Sequence, residues 1–283
     1  MVQILLLTGG ASILYEEKAQ MYNINFVDGD SFRSICDFEL GQTMPDKEEL
    51  IMYAASDDYL RALVFIEENK SKKFKLVTHN GDTEINLNKR LLPPNLVCWY
   101  AQNLCTASSR TFPIPIGLEN TQWHPTKRDI IVNSPIKEQR LIRAFGQFNP
   151  VTHESRVDLV NLIKEKVVDA DFSQSVNGSQ FGEYVSNLSK YAFCLCPRGN
   201  GVDTHRIWES LYMGCIPIVQ NHITHRCLTE LPILFIDEWE EVTHQKLVQF
   251  LDESTNIMYN LEKLSFEYWE NLIRNEENLC GCR

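Results

Sequence analysis

The chain has 283 residues, of which 43% are hydrophobic and 23% charged, an ordinary composition for a globular protein. This length suits two domains or one large α/β domain. Thirteen Gly and 11 Pro are too few for a disordered or fibrous chain. The formal net charge of −11 excludes a general binder of nucleic acid or anionic membrane, so an anionic ligand requires a local positive site.

The apolar runs are too short to cross a membrane, since a spanning helix needs roughly 20 such residues. The run Ile4–Leu7 lacks a basic flank and breaks at Gly9-Gly10, so we interpret it as a buried strand rather than a signal peptide. Nine cysteines, an odd number with several in apolar runs, predict reduced thiols in a cytoplasmic protein. The sequence carries no signal for an oligomeric state.

The first half alternates strand and helix patterns. A stripe near the 3.6-residue period predicts a helix over Glu48–Lys70. The polar stretch 120–137 contains Pro125 and Pro135 and predicts a linker between an N-terminal domain, 1–125, and a C-terminal domain, 136–260. Apolar runs predict strands at Val2–Leu7, Ile24–Val27, Lys75–Thr78 and Leu96–Tyr100, and an edge segment with two prolines at Phe112–Gly117.

The second half repeats this alternation. Predicted strands are Arg140–Phe145, Tyr191–Cys196 and Cys215–Val219, and predicted helices are Glu154–Lys166, Phe181–Leu188, 204–213, 242–252 and 255–277. Alternating strands and helices predict an α/β protein with two doubly wound, Rossmann-like domains facing a cleft, where ligands bind at the carboxyl ends of the strands. Residues 261–283 are predicted as a C-terminal helix that packs back on the first domain.

Residues 191–220 predict a strand–loop–helix–strand unit. Asp203 or Thr204 can cap its helix, and Gly214 can end it. Glycine N–H groups and a helix N-terminus attract anions, and the unit adds two arginines. We therefore predict a phosphate or pyrophosphate site. The residues assigned to it are Arg198, Gly199, Asn200, Gly201, Asp203, Thr204, His205, Arg206 and Glu209, with Gly146 from the loop predicted at 146–152.

Glu209 follows Arg206 by three residues and suits the paired hydroxyls of a ribose. An ion pair with Arg206 is the structural alternative. The loop is no Walker A sequence, because no Gly-Lys-Ser/Thr follows, and Thr204 stands where the Rossmann Gly-x-Gly-x-x-Gly pattern requires its third glycine. These departures weaken the ATPase and dehydrogenase hypotheses. The missing Walker lysine and the lack of a clear metal carboxylate cluster argue against a phosphatase or kinase-like protein.

The run Phe193–Gly199, then Thr204-x-Arg206-x-x-Glu209, then Gly214-Cys-Ile-Pro217, resembles the exostosin-like glycosyltransferases. The resemblance is specific over roughly 30 residues and weaker from Arg140 to Glu241, and none is found in the first 75 residues. Pro113–Gly117 with Glu119-Asn120 resembles the domain junction of such enzymes. The resemblance implies a GT-B fold with a UDP-sugar bound by the C-terminal half. It also implies inversion without a bound metal.

Carried over to this chain, the resemblance implies that Arg198 and Arg206 hold the diphosphate, Thr204 hydrogen-bonds it, and Glu209 holds the ribose. Eukaryotic members usually have a membrane anchor, so a short soluble member from a bacterium or a large virus is expected. The base would come from the N-terminal domain. Our candidates are His79 and Asp82, in the turn after the Lys75–Thr78 strand, then Glu119; a turn role is the alternative for the first two.

We expect transfer of a sugar, with UDP-xylose favoured on the resemblance alone, to a glycan hydroxyl. No tightly bound cofactor is expected, although a divalent cation would stimulate the departure of a diphosphate. A non-catalytic nucleotide-sugar-binding module is the alternative. No metal site is predicted, because a turn fits better for Asp28 with Asp30 and a buried strand for Cys194 with Cys196. The spacing of His222, His225 and Cys227 matches no zinc pattern.

Overall fold

The computed structural model describes residues 4–6, 25–87, 91–137, 139–174 and 181–275. The strands are β1 Ile4–Leu6, β2 Phe38–Glu39, β3 Glu49–Ala55, β4 Lys73–His79, β5 Leu96–Ala101, β6 Thr111–Pro113, β7 Gln139–Phe148, β8 Ala170–Gln174, β9 Tyr191–Leu195, β10 Ile216–Gln220 and β11 Leu234–Ile236. The α-helices are α1 Gly29–Ser34, α2 Tyr59–Glu68, α3 Lys127–Asn133, α4 Glu154–Lys164, α5 Phe181–Leu188, α6 His205–Tyr212, α7 His244–Ser254 and α8 Phe266–Arg274.

These strands form two parallel sheets, one in each half of the chain. The first has the order β2-β3-β4-β5-β6, with β6 at an edge as its prolines predict. The second places β8 beside β7, followed by β9, β10 and β11, and β1 adds antiparallel to β7. The predicted mixed α/β fold is therefore confirmed. Two sheets of five parallel strands each are compatible with a Rossmann-like fold.

The predicted helix over Glu48–Lys70 is wrong in its first part. Residues Glu49–Ala55 form strand β3, and the helix begins only at Tyr59. The side chains of Leu50 and Met52 are fully buried in one core cluster, whereas Tyr53 packs in another. A central strand covered on both faces has no polar face, so its pattern merged with that of the following helix.

Other predicted boundaries also changed. Phe26 and Asp28 take part only in isolated bridges, so no strand forms in the described part of 24–27. The polar stretch 120–137 contains helix α3, rather than only an extended linker. In the predicted closing helix 255–277, only Phe266–Arg274 is α-helical among the described residues. The domain boundaries at 125, 136 and 260 stay predictions.

One hydrophobic core cluster spans both halves of the chain. A single cluster of buried side chains includes Phe32 and Tyr100 from the first half and Phe145, Ile207 and Trp208 from the second. Helix α8 contacts the first sheet, because Lys75 Nζ donates to the carbonyl oxygens of Ile273 at 3.2 Å and Arg274 at 3.1 Å. The halves are thus packed together rather than joined only by a linker.

Gly117 brings the segment after β6 against the chain near α1. Its φ is +69°, which favours glycine, and a Cβ here would clash with the backbone carbonyl of Val27. We expect Gly117→Ala to lower the free energy of unfolding by about 2 kcal/mol or more, from left-handed strain and overpacking together. Denaturant titration measures the loss.

Gly182→Ala is the matched control. Gly182 lies in α5, and an added Cβ would meet no atom of the described residues within 4 Å apart from its own helix backbone and chain neighbours. Alanine should slightly raise the helix propensity there. Equal denaturant midpoints for Gly117→Ala and Gly182→Ala would contradict the prediction, because they would mean that the backbone at residue 117 adjusts to alanine without a loss of stability.

Candidate functional site

The loop after β9 leads into the N-terminus of helix α6. Thr204 is the N-cap, and its hydroxyl accepts a hydrogen bond from the Arg206 N–H at 3.4 Å. Arg206 Nε donates to the Gln147 carbonyl at 2.7 Å, and its two terminal nitrogens have no hydrogen-bond partner among the described residues. An uncommitted guanidinium edge therefore lies at the positive end of a helix, an arrangement that binds anions.

Arg156 of α4 shapes this loop, and the sequence analysis did not single it out. Its guanidinium donates to the carbonyl oxygens of Arg198 at 2.6 Å and Pro197 at 3.2 Å, and it stacks on Phe148. Burial, and then the charge of Arg206, lowers the pKa of Arg156 to about 10. Two arginines thus concentrate positive charge at this end of the second sheet, in a chain that is acidic overall.

Asp203 fixes the loop to the first half of the chain. Its carboxylate accepts from the Ile116 N–H at 2.7 Å and the Thr204 N–H at 2.8 Å. Burial raises the pKa of Asp203 to about 7, against the effect of these hydrogen bonds. Gly201 is equally constrained, because a Cβ there would lie 2.6 Å from Asn103 Nδ2. Both residues have internal partners, so a contact with a ligand stays a prediction for them.

Arg198 and Asn200 reach across to the first half. Arg198 pairs with Glu84 at 2.6 Å, and Asn200 Nδ2 donates to Asp82 at 3.1 Å. The predicted contact of Arg198 with a diphosphate therefore requires that it leave Glu84 or share its donors. Gly199, between these residues, lies against Arg156, which an added Cβ would approach to 3.2 Å.

Gly146 lies within strand β7 instead of the predicted loop. It pairs with Phe172 of β8, and a Cβ on it would lie 3.1 Å from the Phe148 ring. The strand continues to Phe148, and within it the Gln147 carbonyl accepts the hydrogen bond from Arg206 Nε. Gln147 Oε1 is buried and has no hydrogen-bond partner among the described residues.

Glu209 is held by a lysine from the stretch predicted as a linker. Lys127 Nζ lies 2.7 Å from Glu209 Oε1 and 3.0 Å from Glu119 Oε2, with the Lys127 and Glu209 side chains only 8% and 7% exposed. Burial alone would raise the pKa of Glu209, but the charges of Lys127 and Arg206 outweigh it and lower the pKa. Glu209 is therefore a buried, ionised carboxylate, and its predicted ribose contact stays a prediction.

A cavity of about 590 Å³ opens at the carboxyl ends of β3, β4 and β5. Acidic and amide groups line much of it, and the indole of Trp123, 69% exposed, lies at its rim. The described lining residues are Arg33, Glu39, Tyr53, Ala55, Asp57, Asn80, Gly81, Asp82, Gln102, Ile116, Glu119, Asn120, Gln122, Trp123 and His205. Of the two predicted bases, Asp82 lines this cavity and is exposed.

His79, the other predicted base, is 1% exposed and stacks on Phe32. Its Nε2 lies 3.0 Å from the Pro115 carbonyl, which can only accept, so Nε2 carries the hydrogen and Nδ1 accepts from the Asn80 N–H at 2.8 Å. Both ring nitrogens are thus engaged, and burial lowers the pKa of His79 to about 4. This geometry supports the turn at Asn80, whose φ is +58°, and does not favour His79 as a base.

His79 makes folding sensitive to acid. Its pKa is about 4 when folded and about 6.5 when unfolded, so below neutral pH the unfolded chain binds the proton first and stability falls. In the wild type, the free energy of unfolding should be lower at pH 5 than at pH 7. We expect His79→Gln, which retains a donor for Pro115, to reduce this difference by roughly 2 kcal/mol. Denaturant titrations at both pH values measure this difference. An unchanged difference would mean that His79 takes up its proton in the folded state.

No group of three or more His, Cys, Asp or Glu side chains in the described ranges could hold a metal ion. Cys194 and Cys196 are buried, unpaired thiols, and Asp28 caps α1 by accepting from the Ser31 N–H. None of the helices in the described segments is long and apolar enough to cross a bilayer.

Comparison with known proteins bears on the same part of the chain. Residues 151–259 match the family described as the RXYLT1 C-terminal domain, an exostosin-related glycosyltransferase family; the match spans less than half of the chain. A protein of Arabidopsis thaliana named "Probable glycosyltransferase" is 27% identical over 121 residues, which are 42% of this chain and 22% of that protein. Both similarities support a glycosyltransferase function.

Proposed function

We propose that this protein transfers a sugar from a UDP-sugar to a hydroxyl group of a glycan. The observation that carries the proposal is the uncommitted edge of Arg206 at the N-terminus of α6, next to His205, which lines the 590 Å³ cavity. A diphosphate needs such fixed positive charge, and the surrounding acidic chain provides little of it elsewhere. The similarities to glycosyltransferases over the second half support the proposal that this anion is a nucleotide-sugar.

In this proposal the donor lies against the second half. Arg206 and the first N–H groups of α6 hold the diphosphate, with Arg156 keeping the loop in place, and Arg198 adds charge when it leaves Glu84. Glu209 receives a ribose hydroxyl. As the bond from the anomeric carbon to the diphosphate breaks, negative charge grows on the leaving oxygen, and these donors stabilise it.

The acceptor glycan lies in the cavity on the first half, where Trp123 offers an apolar face to a sugar ring. One displacement by an acceptor hydroxyl inverts the anomeric centre. No metal is assigned to the reaction, although a divalent cation would help a diphosphate to leave. Among donors we propose UDP-xylose, on the resemblance described above.

A thermal-shift screen tests the donor site, with UDP, GDP, CMP and a panel of UDP-sugars, followed by transfer assays on glycan acceptors. Ligand at 100 times its dissociation constant should add about 2.7 kcal/mol to the free energy of unfolding. A shift with uridine compounds and sugar transfer are the expected results. Binding of UDP without transfer to any acceptor would favour the non-catalytic binding module. No shift with any nucleotide would overturn the proposal.

A further inference from the structure

His205 joins the two parts of the proposed site. It is the first residue of α6, between Thr204 and Arg206. Among the described residues that line the 590 Å³ cavity, it is the single one from the second half. A donor at the N-terminus of α6 and an acceptor in the cavity would therefore meet beside this imidazole.

The orientation of the ring determines which nitrogen can accept a proton. His205 Nδ1 lies 2.8 Å from the carbonyl oxygen of Gly117, and because a carbonyl can only accept, Nδ1 carries the hydrogen. In the neutral ring Nε2 then has the lone pair. In the part of the chain that the structure describes, Nε2 has no hydrogen-bond partner, so it is available to a molecule in the cavity.

The charges around His205 suit a residue that starts neutral and becomes charged. Burial lowers its pKa, as does Lys127, while the bond to Gly117 and the carboxylates Glu209 and Glu119 act in the opposite direction. His79, close enough to interact, is itself neutral because burial lowers its pKa. The ring is thus neutral near pH 7, and an imidazolium formed there would have two carboxylates nearby.

The other candidate bases named above are less suited. Glu119 forms an ion pair with Lys127 at 3.0 Å. Asp82 accepts a hydrogen bond from Asn200 and belongs to the first half. His79 has both ring nitrogens engaged. His205 combines a free lone pair with a position at the junction.

We propose that His205 is the general base of the transfer reaction, an assignment that rests on the proposed function. Nε2 takes the proton of an acceptor hydroxyl while that oxygen forms the bond to the anomeric carbon. The bond from the anomeric carbon to the diphosphate oxygen breaks, and its electron pair leaves with the diphosphate. The reaction ends with a neutral glycoside, an imidazolium at His205 and an anionic diphosphate beside Arg206; the imidazolium then loses its proton to solvent.

His205→Asn tests this role, because the Asn amide can still donate to Gly117 but has no group at the position of Nε2. We expect the transfer rate to fall about 10²- to 10⁴-fold, the usual contribution of a general base, while UDP still stabilises the variant against heat as it does the wild type. The acidic limb of the wild-type pH–rate profile should disappear. Added imidazole should restore part of the activity of His205→Ala.

His244→Asn is the matched control, since His244 lies at the start of α7 and pairs with Asp169, outside the cavity. It should retain wild-type transfer. Wild-type rates in His205→Asn, or a loss of 10²-fold or more confined to Asp82→Asn, would overturn the assignment to His205. Absence of UDP binding by the wild-type protein would overturn the proposed function itself, which distinguishes the two failures.

Discussion

Replacing Lys127 with Met is expected to lower the free energy of unfolding by about 3–5 kcal/mol, because it leaves Glu209 as a buried charge without a partner. Both side chains are more than nine-tenths buried, so water cannot replace the lost ammonium. Glu119 would lose its partner as well. Denaturant titration of the purified variant measures the loss.

Two further variants isolate the cause. Adding Glu209→Gln to Lys127→Met removes the unpaired charge and should recover much of the lost stability. Lys72→Met breaks an ion pair with Asp46, which is fully exposed, and should leave the midpoint unchanged. A wild-type midpoint for Lys127→Met alone would mean that Glu209 is protonated or hydrated in the folded protein.

Arg206→Ala is expected to weaken UDP binding by about 10- to 150-fold, which corresponds to the 1.5–3 kcal/mol of a hydrogen bond to a charged group. The terminal nitrogens of Arg206 have no described partner within the protein, so a diphosphate would be their first. Isothermal titration calorimetry with UDP measures the change. Sugar transfer should fall at least in parallel, because the same charge stabilises the leaving group.

Arg61→Ala provides the control for this variant. Arg61 pairs with Asp58 on the surface of α2, with its side chain 74% exposed, and should not affect UDP binding. Unfolding of Arg206→Ala must also be followed, because the bond from Nε to the Gln147 carbonyl is lost. Wild-type affinity in a folded Arg206→Ala would place the diphosphate elsewhere.

The unit around residues 191–220 could be predicted almost to the residue. Each end of strand β9, helix α6 and strand β10 lies within one residue of its predicted position. Local signals suffice here: Thr204 caps α6, and Gly214 ends it with φ of +60°. The apolar runs on either side are short and bounded by the loop before α6 and by Gly214, which favours buried strands.

Strand β3 could not be predicted in the same way. Its residues Leu50–Ala54 form a short apolar run, and periodicity alone does not separate a buried strand from a buried helix turn. Strand β8 was missed for the opposite reason, because its exposed end, Ser173-Gln174, lacks an apolar pattern.

The charged groups of the site could also be predicted only where their signal is local in the sequence. Arg198 and Arg206 stood out because the loop between the strands is local in sequence. Arg156 and Lys127 did not, since their partners lie 42 and 82 residues away and their neighbours carry no motif. The orientation of His205 likewise depends on Gly117, 88 residues earlier, which only the packing of the two halves reveals.

A segment near each end of the described chain contacts the sheet formed by the other half. Residues Ile4–Leu6, near the beginning, add a strand to the second sheet, whereas the last carbonyls of α8, near the end of the described chain, accept hydrogen bonds from Lys75 of the first sheet. A cut in the connecting stretch around residue 126 would therefore leave each fragment without an element that the other one carries. The fragment after the cut would lack edge strand β1, and the fragment before it would lack the carbonyls that accept from Lys75, so each needs the other to complete these contacts.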